Sequence, residues 1–284
     1  MKARWELILI PPLLVSVLLM VTSQVIFLRS SFYRDLGYGG SGTEFEFVNY
    51  LKFFNDTFYL KVLWNTVEVS FFAMVFTLMF AFPIAYLIAR MRSKWGMVLL
   101  AGIVMSTFIT IVIKVFGLYI MFSREGVINQ TLLFLGIIDQ PFAIIGNEGG
   151  VVVGLMHFTL GFGVVLLFSV VQTIPRSLEE AAQIFGASRW RVWRRIIIPL
   201  SLPGLIAGAL MLFNMCMGAF TAVALLGGGR VYTLPVLIQR VVIMEAKYGM
   251  GGTLSAVLLF SVLLINILSL FLLWNMRKQR MIVV

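Results

Sequence analysis

The chain has 284 residues, of which 61% are hydrophobic and 12% are charged, with a mean hydropathy of +1.01 and a formal net charge of +10. This composition excludes an ordinary soluble domain and predicts an all-α polytopic membrane protein, because a lipid-exposed backbone must satisfy its hydrogen bonds within its own helices. The apolar runs are continuous rather than alternating, which disfavours a β-barrel, and a single cysteine and a single histidine exclude an internal disulfide and a histidine-based metal cluster.

Six apolar segments are each long enough to cross the hydrocarbon core, which takes about 20 residues as a helix. We expect the first segment to be an uncleaved anchor, because its apolar part is too long for a signal peptide and no small-x-small cleavage pattern follows it. The predicted transmembrane helices are Leu7–Leu28, Val62–Ala89, Met97–Phe122, Val151–Thr173, Leu202–Leu226 and Leu254–Trp274.

The charges predict the orientation of these helices. The N-terminus, the 90–96 loop, the 174–200 loop and the tail together carry 13 basic and 3 acidic residues, whereas the rest of the chain carries nine of each. This strong positive-inside bias places both termini in the cytoplasm. Because topology accounts for the basic charge, we expect membrane lipid and no nucleic acid among the partners.

The outer loops differ in length and content. The first contains the amphipathic run Phe45–Leu51, which predicts a short element at the membrane interface, and the second, Gly126–Gly150, predicts a short interfacial helix. The third, Gly227–Gly252, has glycines at both edges, typical of a helix end and a tight re-entry. We find no internal repeat and divide the chain into an anchor with its outer loop (1–61), a permease core (62–276) and a basic cytoplasmic tail (277–284).

The 174–200 loop predicts two short helices. Ser177 and Glu180 have the spacing of a capping box, Gly186 fits a helix stop, and Ser188 can cap a second helix. In that second helix the basic residues Arg191, Arg194 and Arg195 share one face, and the apolar residues Trp190, Trp193 and Ile197 share another. Pro199 and Pro203 mark the turn into the next span. Capping alone could explain this pattern as a hairpin anchored on the membrane.

The spacing from Glu180-Ala181-Ala182 through Gly186 and Ile196 to Pro199 resembles the cytoplasmic motif of type I ABC importer permeases, with Ile198 in place of the usual leucine. From about Val62 onward the chain looks most like the spermidine/putrescine group. Further matching pieces are Asn65-Thr66, Gly126-Val127-Ile128-Asn129, Gly218-Ala219-Phe220-Thr221 and Leu225-Leu226-Gly227-Gly228.

The resemblance implies a six-helix, MetI-like core in the bacterial inner membrane, whose 174–200 loop docks on an ATPase. The residues that it assigns to coupling are Ser177, Glu179, Glu180, Ala181, Ala182, Gly186, Ala187, Ser188 and Arg189. It also implies an ABC ATPase dimer that holds ATP and Mg, a second permease subunit, favoured as a paralogue in a heterodimer, and an extracytoplasmic binding protein. The cargo is expected to be a polyamine or related amine, with opines and aminophosphonates open.

This chain is not expected to be an enzyme, because it lacks the P-loop pattern Gly-x4-Gly-Lys-Ser/Thr and a nucleophile–base constellation, and we expect it to bind no cofactor or metal. Polar groups and two apolar neighbours within the spans are candidates for the substrate path: Glu68, Lys114, His157, Asn214, Met217, Phe220 and Thr221. The alternatives are mutual pairing or snorkelling of Glu68 and Lys114, interhelical hydrogen bonds of His157 and Asn214, and simple packing of Met217 and Phe220.

Two functions of other classes compete with this interpretation. A secondary transporter would normally show a longer chain, inverted repeats and helices broken around central charges. A non-transporting membrane assembly component would not bring down an ATPase and a second permease on purification. Six spans and a charged loop with a docking motif favour the importer permease over both.

Overall fold

The computed structural model describes residues 6–281, so that Lys2, Arg4 and the last three residues of the predicted tail lie outside it. The chain divides into two compact units. The first comprises the residues up to Leu63 together with Leu234–Leu264, and the second comprises Trp64–Thr233 together with the residues from Ile265 onward.

The described residues are mainly helical. In chain order the elements are α1 (Glu6–Ser30), β1 (Asp35–Gly37), β2 (Gly40–Ser41), α2 (Val48–Asn55), α3 (Thr57–Arg90), α4 (Lys94–Phe108), α5 (Ile111–Phe122), α6 (Val127–Phe134), α7 (Glu148–Gln172), α8 (Arg176–Ile184), α9 (Arg189–Val192), a π-helical turn (Trp193–Ile197), α10 (Ile198–Met217), α11 (Thr221–Leu226), α12 (Leu234–Gln239), a second π-helical turn (Arg240–Met244) and α13 (Tyr248–Met281).

Five helical segments of the described chain are long and apolar enough to cross a membrane, and a sixth span is possible if a bent pair counts as one. The bend of 97° lies between α4 and the segment Ile111–Phe134, so the continuous third helix predicted from the sequence is wrong. Ile109 is extended at the end of α4, and 109–113 are all β-branched residues, which lowers helix propensity at this point.

The fifth span also differs from its prediction. A continuous helical segment runs from Arg189 to Met217, with Pro199 in the first turn of α10 and Pro203 inside it, so these prolines do not mark a turn. The wider π-helical turn before them, in which the Ile198 N–H donates to the Trp193 carbonyl, accommodates the missing donor of Pro199. The segment ends at Met217, and α11 is a separate helix.

In the first unit, polar side chains tie loops to helix ends. The Asp35 carboxylate accepts the N–H groups of Gly249 and Met250 at 2.7 and 2.8 Å, which caps the start of α13. Asn49, on α2, donates to the carbonyls of Ser31 and Tyr33 at 3.1 and 2.9 Å. The short interfacial element predicted at Phe45–Leu51 is helix α2, beginning three residues later, and the predicted helix in 126–150 is α6.

In the second unit, small residues allow the helices to approach closely. Gly204 and Gly208 of α10 face α7, where an added Cβ would lie 2.5 Å from Val170 and 2.9 Å from Leu166. The hydroxyls of Thr77 on α3 and Thr159 on α7 hydrogen-bond at 2.8 Å in the buried interior. This small-xxx-small packing with a polar cross-link is typical of helices that associate within lipid.

Candidate coupling surface

Helix α8 begins directly after Pro175, which has extended ψ (133°) and provides no side-chain cap. Ser177 is therefore the second helical residue, and the predicted capping box between Ser177 and Glu180 is wrong. The proline fixes the helix start two residues earlier, and both glutamates of the first turns have other partners.

Glu179 is buried against the C-terminal end of α3. Its carboxylate accepts from Arg90 Nε at 2.5 Å and from the Tyr86 hydroxyl at 2.9 Å. Two further bonds tie the end of α3 to the start of the loop: Arg90 donates to the carbonyl of Ile174, which precedes α8, at 3.0 Å, and Arg176 of α8 donates to the Ala89 carbonyl at 2.9 Å. A buried carboxylate is stable only when it is paired in this way.

Glu180, the glutamate of the Glu-Ala-Ala motif, is in the opposite situation. Its side chain is 60% exposed and contacts Arg92, itself 84% exposed, at 3.5 Å. An exposed pair of this kind contributes about 0–1 kcal/mol. Glu180 can therefore exchange its partner at little cost, whereas Glu179 cannot.

Beyond α8 the chain turns sharply at Gly186. Its φ of +82° is in the left-handed region, and the Gly186 and Ala187 N–H groups bond back to the Gln183 and Ala182 carbonyls. The predicted helix stop is confirmed. The turn leaves Ile184 and Phe185 83% and 90% exposed.

Ser188 caps α9 by accepting the Arg191 N–H at 3.4 Å, as the sequence predicts. The rings of Trp190 and Trp193 stack at 5.1 Å, and Trp193 also contacts Phe82 of α3 at 5.8 Å. Of the other predicted coupling residues, Ala181 and Arg189 are exposed and Ala182 and Ala187 are half-buried against the core.

A concave surface of about 640 Å³ lies between α8, α9 and the end of α3. Its lining includes four arginines and both glutamates: Arg90, Arg92, Arg176 and Arg189; Glu179 and Glu180. Half-buried Arg90 and buried Glu179 pair with each other, so the charges open to a partner are those of the exposed residues Arg92, Arg176, Arg189 and Glu180. These are basic overall and suited to a partner that presents acidic groups beside an apolar contact.

The candidate path residues lie in the second unit. Glu68 on α3 and Lys114 on α5 are half-buried, and within the described residues they form no ion pair with each other, so the mutual pairing considered from the sequence is not observed. His157 on α7 is exposed. None of the hydrogen bonds among the described residues places His157 in the interhelical bond considered for it.

Asn214 does form an interhelical bond. It exchanges two hydrogen bonds with Asn266 of α13, each of 3.0 Å, and Asn266 is a partner that sequence reasoning missed. Met217 is fully buried, which is the packing role considered for it, whereas Phe220 is 38% exposed and Thr221 is half-buried at the start of α11.

In the first unit, Glu245 is already engaged. Lys247 donates to its carboxylate at 2.7 Å and Arg240 lies at 3.5 Å. The hydrogen bond from Lys247 is the main reason that the pKa of Glu245 is below its ordinary value, and the same bond raises the pKa of Lys247. Glu245 is therefore not a free carboxylate for a cationic ligand.

Several long apolar helices, joined by a charged loop that projects an apolar turn, are the features of the class of multi-span membrane permeases. Comparison with known proteins identifies the family within that class. The family described as "Binding-protein-dependent transport system inner membrane component" matches residues 61–279, and the chain belongs to it. It is a permease subunit of an ABC importer.

Similar curated proteins include the spermidine/putrescine transport system permease protein PotB of Haemophilus influenzae, 30% identical over 207 residues, which are 73% of this chain and 72% of that protein. PotB of Escherichia coli (strain K12) is 30% identical over 223 residues, covering 78% of this chain and 81% of that protein.

Two solved structures show the same fold. One is a bacterial alginate ABC transporter in complex with an alginate pentasaccharide-bound periplasmic protein, with a TM-score of 0.79, 20% identity and coverage of 94% of this chain and 93% of that one. The other is an inward-facing MetNI methionine ABC transporter, with a TM-score of 0.60, 18% identity and coverage of 76% and 94%.

Proposed function

We propose that the 174–200 loop docks on a separate ABC ATPase dimer, and that this chain forms part of the path of an importer for a polyamine or related amine in the bacterial plasma membrane. The observation that carries the docking role is the exposed apolar turn of Ile184 and Phe185, held in a loop that is otherwise charged. An exposed apolar tip beside a basic concavity fits insertion of a short helix into a partner's groove.

The energy for transport comes from that partner. ATP and Mg are bound on the ATPase subunits, which is supported by the lack of the pattern Gly-x4-Gly-Lys-Ser/Thr in this sequence. A second permease subunit, proposed to be a paralogue, completes the path, and an extracytoplasmic binding protein delivers the substrate. The chain itself catalyses no reaction and binds no cofactor.

The proposed cargo rests on the two PotB relatives, both of which are spermidine/putrescine permeases. Among the candidate path residues, Glu68 is the one carboxylate that could contact an amine, whereas Lys114 and His157 are basic. This balance favours a path in which the binding protein supplies most of the selectivity. We propose that the seven candidate residues line this path, and substitution of each one tests its part in transport.

The test is purification of the tagged full chain from its host membrane, followed by identification of co-purifying subunits and reconstitution in liposomes. We expect an ATPase with a P-loop, a second permease, and ATP hydrolysis that rises when spermidine- or putrescine-loaded binding protein is added. Ile184→Asp should remove the ATPase while leaving the permease in the membrane. Co-purification of the same amount of ATPase with Ile184→Asp would contradict the docking role, and stimulation by opines or aminophosphonates but not by polyamines would contradict the cargo.

A further inference from the structure

We propose that Tyr86, Arg90 and Glu179 form a clasp that makes α8 move with the C-terminal end of α3, so that these three act as positioning residues in the transport cycle. The proposal rests on the docking function above and adds the route by which movement of the docked helix enters the membrane. It assigns the two neighbouring glutamates different tasks: Glu180 faces the partner and Glu179 holds α3.

The hydrogen bonds of the clasp all join the C-terminal end of α3 to α8 or to the residues just before it. Arg90 bonds at once to the Glu179 carboxylate and, at 3.0 Å, to the Ile174 carbonyl, which lies before α8. Arg176, at the first position of α8, returns a bond of 2.9 Å to the Ala89 carbonyl. Because side chains of α3 and of α8 each bond to the other segment, we expect α8 and the end of α3 to move together.

Burial makes the clasp costly to open. The side chains of Arg90 and Glu179 are 14% and 9% exposed, so separating them would leave a poorly solvated charge on each helix. The neighbouring pair of Arg92 and Glu180 is mostly exposed, and opening it transfers both charges into water. A displacement of α8 is therefore transmitted to α3 before the clasp opens, whereas the Glu180 contact is lost readily.

The consequence concerns which helices move. By covalent connection the 174–200 loop joins α7 to α10, and α3 lies more than eighty residues earlier in the chain. The clasp adds α3, which carries the path candidate Glu68, to the helices that respond to the ATPase. Without the clasp, docking and hydrolysis would continue but would move the path less.

The test uses the reconstituted full importer and measures three quantities for each variant: ATPase bound per permease, ATP hydrolysed, and substrate transported per ATP. The variants are Glu179→Gln, Arg90→Gln, the exchange of Arg90→Glu with Glu179→Arg, and the milder Tyr86→Phe, which removes one hydrogen bond. Glu148→Gln, an exposed change in the first turn of α7, is the matched control.

We expect Glu179→Gln and Arg90→Gln to bind the ATPase and hydrolyse ATP within about twofold of the unmodified importer, while transport per ATP falls about tenfold or more. Tyr86→Phe should lower transport per ATP by a smaller factor. The double variant with Arg90→Glu and Glu179→Arg should transport more per ATP than either glutamine variant. Glu148→Gln should match the unmodified importer in all three quantities.

Two results would overturn the clasp. In one, bound ATPase and transport fall together in the Glu179 variant, which would make this residue part of the docking surface. In the other, Tyr86→Phe and Glu179→Gln transport normally per ATP. If a glutamine variant does not assemble, Tyr86→Phe decides alone, since it removes no charge. Failure of the unmodified chain to bind any ATPase would instead contradict the proposed function, so the two failures are distinguishable.

Discussion

Gly186 offers a test in which backbone conformation can be separated from side-chain size. Its φ is +82°, and a Cβ added there would meet no atom of the described residues within 4 Å, apart from its own neighbours in the chain. Any penalty for substituting Gly186 in the free permease must therefore come from the left-handed conformation and not from a clash. We compare Gly186→Asn, Gly186→Ala and Gly186→Val.

The expected magnitudes follow from that conformation. An alanine in the left-handed region costs about 1–2 kcal/mol, asparagine costs less because it is enriched there, and valine costs more because it is β-branched. If α8 and its turn bind the ATPase only in the observed conformation, this cost reduces the binding-competent fraction. With a factor of ten for each 1.4 kcal/mol, alanine should weaken apparent binding by about 5- to 30-fold.

The assay is a titration of each permease variant, held in lipid nanodiscs, with the purified ATPase subunit. We expect affinity to fall in the order glycine, asparagine, alanine, valine. Gly102→Ala is the control, because this glycine lies inside α4 with ordinary φ. Apart from the adjacent backbone of α4, an added Cβ there would likewise meet no atom of the described residues within 4 Å. It should bind like the unmodified chain.

Asparagine is larger than alanine but tolerates the left-handed conformation better, so the order of their affinities separates a size effect from a conformational one. If alanine binds well and asparagine poorly, side-chain size at the docked interface controls the affinity and the conformational argument is refuted. If all three substitutions bind like glycine, the turn after α8 is not part of the docked surface at all.

Three further predictions concern stability. Asn214→Leu should cost about 1–3 kcal/mol in SDS-induced unfolding, because two interhelical hydrogen bonds are lost. Adding Asn266→Leu should cost less than it does in the unmodified chain, because the two bonds that join these residues are already gone. Gly204→Ala should cost about 1–3 kcal/mol from overpacking, because the new Cβ would lie 2.5 Å from Val170, and Val170→Ala should relieve it. Because the pKa of Glu245 is lowered in the fold, its contribution to folding stability is complete above the unfolded pKa of about 4.3 and is lost as the pH falls from there through the folded pKa. Hydrogen-exchange protection around Glu245 should therefore decline in this pH range. Glu245→Gln should remove that decline.

Each of these predictions has a contradicting outcome. Strictly additive costs for the two asparagine substitutions, or for Gly204→Ala with Val170→Ala, would show that the paired residues do not interact. Protection around Glu245 that declines equally in the glutamine variant would assign the pH dependence to another group.

The sequence predicted the features that depend on near neighbours in the chain. Gly186 and Ser188 act as helix stop and helix cap because both roles use backbone groups within five residues. The long apolar helices follow from composition alone, since any such run must satisfy its backbone internally in lipid. The signal for the close packing of α10 on α7, Gly204-x3-Gly208, was present in the sequence and could have been recognised.

The features that the sequence did not predict depend on distant residues or on competing local signals. Ser177 and Glu180 have ideal spacing for a capping box, but Pro175 moves the helix start and Arg92 contacts the glutamate. The sequence around Arg90 indicates only a topological charge, because its partner Glu179 lies 89 positions away. The bend after Phe108 was hidden because the residues on both sides of it are apolar.

In the proposed mechanism, the docked helix α8 moves the membrane domain through its contacts with α3. Ile184, at the exposed end of α8, is five residues from Glu179, a distance of about 7.5 Å along a helix. A force applied at that end reaches α3 through the bond between Glu179 and Arg90. Helix α3 is in turn held to α7 by the Thr77–Thr159 hydrogen bond. The two helices also approach closely at Gly163, where an added Cβ would lie 3.1 Å from Thr77. Because close-packed interfaces resist gradual deformation, α3, α7 and α8 should shift as one body, so that the path changes shape where this body meets other helices.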